Sequence, residues 1–519
     1  MNLRRAGVIA TILFVMVLAG ILIWRFSFVA RDGARYFVVN DDALISLRYA
    51  WNLAHGNGLV WNAGERIEGF TNPLWTLYAT VWATLTPRRL LPLVIQVSGV
   101  LCLLAQCFLL RRTARILWKR EGLASRFGEA MAFLLPVAYY PLVYWSIGGL
   151  EVCAVGALFS WALLLHIQGR FTACCLVLGA AYWTRPDSLV PGALILAVAW
   201  HDARTGRLPC HAWVRGACAL AGCIVLLLSL RLLYYGDFWP NTYVLKLGQF
   251  HLLDRLRLNA LGYLQPFLCE NLPILIVAMA SLAVKPTSYK FLLAAPAILM
   301  TVYAAGVGGD ALPYWRFMAP FMPALGLVAM LELPCPAQQF RPVWMAGFAV
   351  GLTAWTVASF GCYRILLRGP ALIERRNIET ALVLNTILKP GATTGVFHAG
   401  AIPYYTDFQA VDFLGKCDRK IAQLKPHLGD GAPQWAGMRS VPGHNKYDLA
   451  YSIGALSPTF VQGFFWWDDN FSEYVKENYV GIPVPFRTHF TGPWLFLRRN
   501  SPYVDWSVAS NSVSMLNKR

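Results

Sequence analysis

Two adjacent aspartates, Asp41 and Asp42, stand a few residues beyond an apolar segment long enough to cross a bilayer. Charged groups at a membrane boundary are costly to desolvate, so a cluster there points to a functional site. Arg48, His55, Glu65, Arg66 and Glu68 follow within the stretch 37–75, with aromatic residues between them. Asn40 or Asp41 fits the N-cap of a helix from about Ala43 to His55, which Gly56 and Gly58 would stop. If helical geometry reaches back to Asp41, then Asp41, Arg48 and His55, spaced by seven, share one face. A carboxylate and a guanidinium there can pair, or can serve as acid/base and phosphate ligand. Capping and a solvated polar stripe are the plainer alternatives.

The elements that must hold these residues are membrane helices. Of 519 residues, 57% are hydrophobic and 14% charged, and the mean hydropathy is +0.47. Soluble domains carry about 25% charged residues. The deficit comes from long apolar stretches near 7–29, 91–110, 129–146, 152–168, 171–184, 188–201, 216–233, 271–284, 291–307, 317–333 and 342–362. This predicts a polytopic α-helical membrane protein of about eleven spans, the first an uncleaved span rather than a leader. The segment 72–86 is apolar but short, as in a re-entrant or interfacial helix.

The net charge of +18 does not indicate nucleic acid, because the basic residues sit in short links between apolar segments. With the N-terminus inside, links carrying Arg4 and Arg5, Arg111 to Arg126, Arg170, Arg204 to Arg215, Lys285 and Lys290, and Arg341 are all cytoplasmic, as the positive-inside rule requires. Residues 363–519 then lie outside, with a helix over 372–388 ended by Pro390-Gly391 and strands near 393–397, 408–412 and 458–465, a small soluble α/β domain. Twelve cysteines show neither metal spacing nor a disulfide framework and read mostly as small apolar residues.

The same topology gathers acidic residues on the outer side. Besides the Asp pair and Glu68, the outer links hold Glu151 in Gly-Leu-Glu, Asp187 in Thr-Arg-Pro-Asp after Arg185, and Asp310 in Gly-Gly-Asp before Arg316. Another reads Tyr-Tyr-Gly-Asp-Phe-Trp-Pro-Asn-Thr-Tyr, with Asn241, and leads to Lys246. Acidic residues contribute little to topology. A polar cavity opening outward explains the bias; ordinary outer loops are the alternative. The nearby Trp and Tyr residues suit either an interfacial belt or the stacking of sugar rings. No P-loop, dinucleotide fingerprint, His-Glu-x-x-His or nucleophile elbow is present.

The order NDDALISLRYAWNLAHGNGLVWNAGERIEGFTNPLW, GLE, TRPD, YYGDFWPNTYVLK, GGDALPYWRF and HAGAIPYYTDFQAVDFLG resembles the GT-C glycosyltransferases similar to the actinobacterial terminal arabinofuranosyltransferase. The resemblance covers most of the chain. It implies a GT-C-like transmembrane catalytic domain, 1–362, with a first outer loop at 30–90, and an extracytoplasmic domain, 363–519. It implies transfer of a sugar, arabinofuranose, from a polyprenyl-phosphate donor to a glycan, lipid or protein acceptor at the outer face of a bacterial plasma membrane. Asp41 or Asp42 becomes the catalytic base, with Asp41 slightly favoured by the face it shares with Arg48 and His55. Arg48, Lys246, Arg185 and Arg316 become candidate phosphate ligands, and His55, Glu68, Asn72, Glu151, Asp187, Asn241 and Asp310 candidate substrate-binding residues. The family pattern carries an acidic residue where His398 stands. The sequence points to no certain cofactor, and the acidic loops leave room for a divalent metal without a diagnostic ligand set. A transporter or flippase for a lipid-linked precursor, and a non-enzymatic flagellar or pilus assembly factor, are the rival readings.

Overall fold

A computed structural model of the chain describes residues 3–120, 126–331, 372–428, 434, 437–463, 469–488 and 492–509. The expected span at 342–362 and the basic link at Arg341 lie outside them. Helix α1 (Leu3–Arg25) leads into a two-stranded antiparallel ribbon, β1 (Ser27–Val29) and β2 (Arg35–Phe37), and then α2 (Asp41–Ala54) and α3 (Pro73–Ala83). There follow α4 (Leu91–Arg120), α5 (Arg126–Ala138), α6 (Tyr140–Ile147), α7 (Val152–Ile167), α8 (Phe171–Thr184), α9 (Leu189–Arg204), α10 (Cys210–Tyr235) and α11 (Asn241–Leu247). The bundle is completed by α12 (Leu252–Arg255), α13 (Leu261–Val284), α14 (Ser288–Gly306) and α15 (Met322–Met330).

Among the described residues, four helical stretches are long and apolar enough to cross a membrane: 88–120, 210–235, 252–284 and 288–306. The α5–α6 pair makes a fifth if it counts as one span bent by 57°. The chain is thus a multi-pass membrane protein, but the described residues do not establish eleven spans. The reason is length. Helices α7 and α8 have 16 and 14 residues, short of the ~20 a bilayer core needs at 1.5 Å per residue.

Beyond α16 (Leu372–Ile387) the chain forms a five-stranded mixed sheet. Its strands are β3 (Thr393–Val396), β4 (Gln409–Asp412), β5 (Phe460–Val461), β6 (Tyr479–Pro483) and β7 (Trp494–Arg498), in the order β4-β3-β5-β7-β6. β3 pairs in parallel with β4 and β5, and β7 is antiparallel to β5 and β6. The short helix α17 (Ala401–Tyr405) bridges β3 and β4. A small core of Phe397, Phe413, Ile453, Val461 and Val475 packs on one side of the sheet.

Helix α2 joins this unit to the bundle. Asn40 caps it, its side chain accepting from the Asp42 N–H at 3.1 Å, and Gly56 ends it at φ +82°. Asp41 accepts from the backbone N–H groups of Gly400 at 2.9 Å and Ala401 at 2.8 Å, the entry to α17. Two turns on, Arg48 donates to the carbonyls at the other end of α17, Pro403 and Thr406, and to Phe408 at 2.9 Å. A carboxylate meets the N–H end and a guanidinium the C=O end, as the helix dipole favours. The approach is close: a Cβ on Gly400 would lie 1.9 Å from the Asp41 carbonyl oxygen. The shared face of Asp41 and Arg48 is therefore real, but α17 occupies it. Replacing Arg48 with Ala should lower stability on the order of 2–3 kcal/mol by stranding buried carbonyls. Thermal unfolding in detergent measures this, and an unchanged midpoint would refute the docking role.

Candidate active site

Successive helix residues are 100° apart around the axis, so Asp41 and Asp42 cannot face the same surroundings. Asp41 turns to α17, whereas the Asp42 side chain, 23% exposed, faces a cavity of about 480 Å³. Its lining comes from α2, the 69–72 loop, the loops at 150–151 and 185–190, α10, the 239–247 segment, the 309–317 loop and one residue of the sheet-bearing unit, Lys416. Apolar walls are supplied by Ile45, Phe70, Leu189, Val190, Ile224 and Leu228.

The polar end of the cavity is a charge network. Lys416 Nζ donates to Asp42 Oδ1, and Arg316 approaches Asp42 Oδ2 at 3.7 Å. Arg316 also holds Asp310 at 2.6 Å and gives its carbonyl to Arg185 at 3.0 Å. Arg185 pairs with Asp187 at 2.6 Å and lies 3.8 Å from Glu151. Asn72 donates to Glu151 at 2.8 Å and accepts from Ser46 at 2.9 Å. Glu151 reaches this point because Gly149, at φ +86°, turns the chain against Val39, where a Cβ would sit at 2.8 Å. Lys246 lines the cavity and makes no ion pair or hydrogen bond among the described residues.

Each charge is set by its neighbours. Burial pushes the Asp42 carboxyl up, but Lys416, Arg316 and Lys246 outweigh it and hold the group below the usual carboxylate range. Burial, reinforced by Arg316, lowers the Lys246 ammonium to about 8. Lys416 and Arg316 lie above their ordinary values because acidic neighbours, Asp42 foremost for Lys416 and Asp310 for Arg316, outweigh desolvation. The cavity therefore sets the ionised Asp42 carboxylate among cations, one of which, Lys246, makes no ion pair among the described residues.

Of the residues expected from sequence, Asp42, Asn72, Glu151, Arg185, Asp187, Lys246 and Arg316 line the cavity. Six do not. Asp41 and Arg48 dock α17 and lie away from the cavity lining. Arg48 has no nitrogen to spare: its Nε goes to the Trp61 carbonyl and its NH2 to Asn62 and Phe408. His55 stacks on Trp51 with ring centroids 4.0 Å apart, at the exposed end of α2. Glu68 forms a buried pair with Arg231, NH2 to Oε1 3.1 Å, and Arg231 rather than Glu68 lines the cavity. Asn241 donates to the carbonyls of Gly415 and Lys416, both at 2.9 Å, and so positions the Lys416 loop. Asp310 holds Arg316. No group of three or more His, Cys, Asp or Glu side chains that could hold a metal occurs among the described residues.

Sequence reasoning missed Lys416, Arg231 and Ser46. Lys416 directly follows the last residue of the motif that ends Asp-Phe-Leu-Gly. Arg231 had a usable signal, a lone charge inside an apolar run. Ser46 had none.

The pH dependence of stability tests the network. A depressed carboxylate contributes stability that is complete above about pH 4 and is lost as pH falls through its folded pKa. Lys416→Met should bring Asp42 nearer its ordinary range and flatten the acid limb between about pH 5 and 2. Melting temperatures across that range check it; parallel curves for variant and wild type would contradict the assigned pairing.

Residues 369–491 match a family described as "Domain of unknown function (DUF8728)". The chain is 31% identical over 230 residues to a terminal β-(1→2)-arabinofuranosyltransferase of Mycobacterium tuberculosis, covering 40% of this chain and 35% of that protein. It is 48% identical over 52 residues to the protein of the same name from Corynebacterium glutamicum, covering 10% and 8%. The matched part is thus about a third or less of these relatives' length. Crystal structures of ArnT from Cupriavidus metallidurans, in the apo state and bound to undecaprenyl phosphate, match 78% of this chain with TM-scores of 0.54 and 0.55, at 14% and 13% identity. They cover 86% and 85% of ArnT. The chain has the fold of ArnT and resembles the terminal arabinofuranosyltransferases in sequence.

Proposed function

We propose that this chain transfers a sugar, arabinofuranose, from a polyprenyl-phosphate donor to a hydroxyl of a glycan, lipid or protein acceptor. The reaction runs at the outer face of the plasma membrane, in a transmembrane unit, 1–362, covered by an extracytoplasmic unit, 363–519. The observation that carries the reading is Asp42, an ionised carboxylate in an apolar-walled cavity between Lys416 and Arg316, with Lys246 beside it. The likeness to the arabinofuranosyltransferases supports the sugar, and the undecaprenyl phosphate bound to ArnT supports the lipid carrier.

The chemistry follows from the charges. The donor phosphate enters among Lys246, Lys416 and Arg316, and its chain lies along the apolar wall. The acceptor oxygen attacks the anomeric carbon and passes its proton to Asp42, while the bond from that carbon to the phosphate oxygen breaks. Polyprenyl phosphate leaves with the electron pair, and the cations stabilise the negative charge it gathers in the transition state. In the empty site those same cations make Asp42 a weak base. A bound phosphate draws them away and raises its proton affinity when the proton must be taken.

Two experiments separate the parts. Asp42→Asn should lower transfer by roughly 10²–10⁴-fold with the fold intact. Asp41→Asn should act mainly on stability, since one amide oxygen replaces two carboxylate acceptors. Transfer from a purified polyprenyl-phosphate donor reads both, and near-normal rates in the Asp42 variant would sink the assignment. Lys246 gives a pH signature. It is protonated below about 8, so affinity for undecaprenyl phosphate should fall as pH rises beyond that value, and Lys246→Arg should flatten the fall. Binding titrations at pH 7 to 10 check this.

A further inference from the structure

A second cavity, of about 440 Å³, lies apart from the first and shares no lining residue with it. Its wall carries Arg31, Arg375, Arg376 and Arg487 against a single carboxylate, Glu379, a net charge of +3. Three chain segments meet there: the turn after β1, the first two turns or so of α16, and the loop after β6. Two of the four guanidiniums are anchored. Arg31 donates to the Pro485 carbonyl at 3.2 Å and lies 5.7 Å from the Phe486 ring centroid. Arg375 reaches Glu379 at 3.2 Å and sits over the Phe28 ring at 4.9 Å. Arg376 and Arg487 make no ion pair or hydrogen bond among the described residues. Four like charges brought together from distant parts of the chain repel one another, and a bound anion relieves that repulsion.

The place of the pocket says which anion. It sits just past the end of α1, whose Phe14, Val17 and Trp24 are 60–61% exposed. In a membrane chain such an apolar face meets lipid. Trp24, with the Arg35 guanidinium 3.8 Å from its ring centroid, marks the level of the headgroups. The pocket therefore opens where lipid phosphates lie. We propose that it binds the phosphate headgroup of an anionic lipid, with Arg376 and Arg487 as the principal contacts, Arg31 and Arg375 flanking, and Glu379 competing for Arg375. Arginine suits this role because its planar fork meets phosphate oxygens in pairs. The site is independent of the transferase reading.

The test is native mass spectrometry of the purified full-length chain in detergent, titrated with phosphatidylglycerol, phosphatidylcholine or inorganic phosphate. Phosphatidylglycerol should be retained, phosphatidylcholine should not, and the double variant Arg376→Gln/Arg487→Gln should bind about tenfold or more weakly. Glu379→Gln should tighten binding several-fold, a gain that a damaged fold would not produce. An unchanged melting temperature confirms that the double variant is intact. Equal binding of phosphatidylglycerol to the double variant and the wild type would overturn the proposal, as would phosphatidylcholine binding as tightly as phosphatidylglycerol. Inorganic phosphate binding as tightly as phosphatidylglycerol would overturn the lipid assignment in favour of a free-phosphate site.

Discussion

Everything at the cavity end depends on one constraint: adjacent residues of a helix point 100° apart. On α2 this divides the Asp pair between two tasks. Asp41 fastens the sheet-bearing unit by taking two backbone N–H groups of α17, and Asp42 is left to face the cavity. The fastening brings Lys416 to Asp42 from more than 370 positions along the chain. Asn241 on α11 then holds the Lys416 loop by its carbonyls, and Lys446 donates to the carbonyls of Val244 and Gly248 nearby at 3.1 and 2.7 Å. The carboxylate, the cations that pair with it and the loops that carry them form one assembly.

Burial makes that assembly costly and so defines it. Glu68 and Arg231 have side chains 4% and 3% exposed, and removing either member of such a pair costs about 3–5 kcal/mol because a buried charge is stranded. The same holds around Arg185, whose guanidinium is shared by Asp187, Glu151 and the Arg316 carbonyl. Against this background Lys246 stands apart. Its ammonium is desolvated without a partner of its own among the described residues, which is an arrangement that favours an incoming anion. The proposed phosphate subsite is where the network is least complete.

The helices themselves were legible in the sequence, as was the turn chemistry that placed α2 between Asn40 and Gly56. The strands at 393–396 and 409–412 also fell where the sequence suggested. Span counting fared less well. An apolar run reports the wish to avoid water, and helices α7 and α8 satisfy that wish by packing against each other and their neighbours without reaching the length of a bilayer core.

What the sequence determined by itself was chemical supply: Asp42, Glu151, Asp187, Lys246 and Arg316 stand at polar breaks between apolar runs. Seven of the thirteen residues singled out line the cavity, because loops that break apolar runs gather at one end of a helical bundle. Only the tertiary structure decided which partners those residues take. The Arg48 guanidinium is taken up by the carbonyls around α17, and Lys416 reaches Asp42 through a contact between distant segments. Spacing along one helix fixes which residues share a face. It cannot say what will be packed against that face, because the occupant comes from elsewhere in the chain.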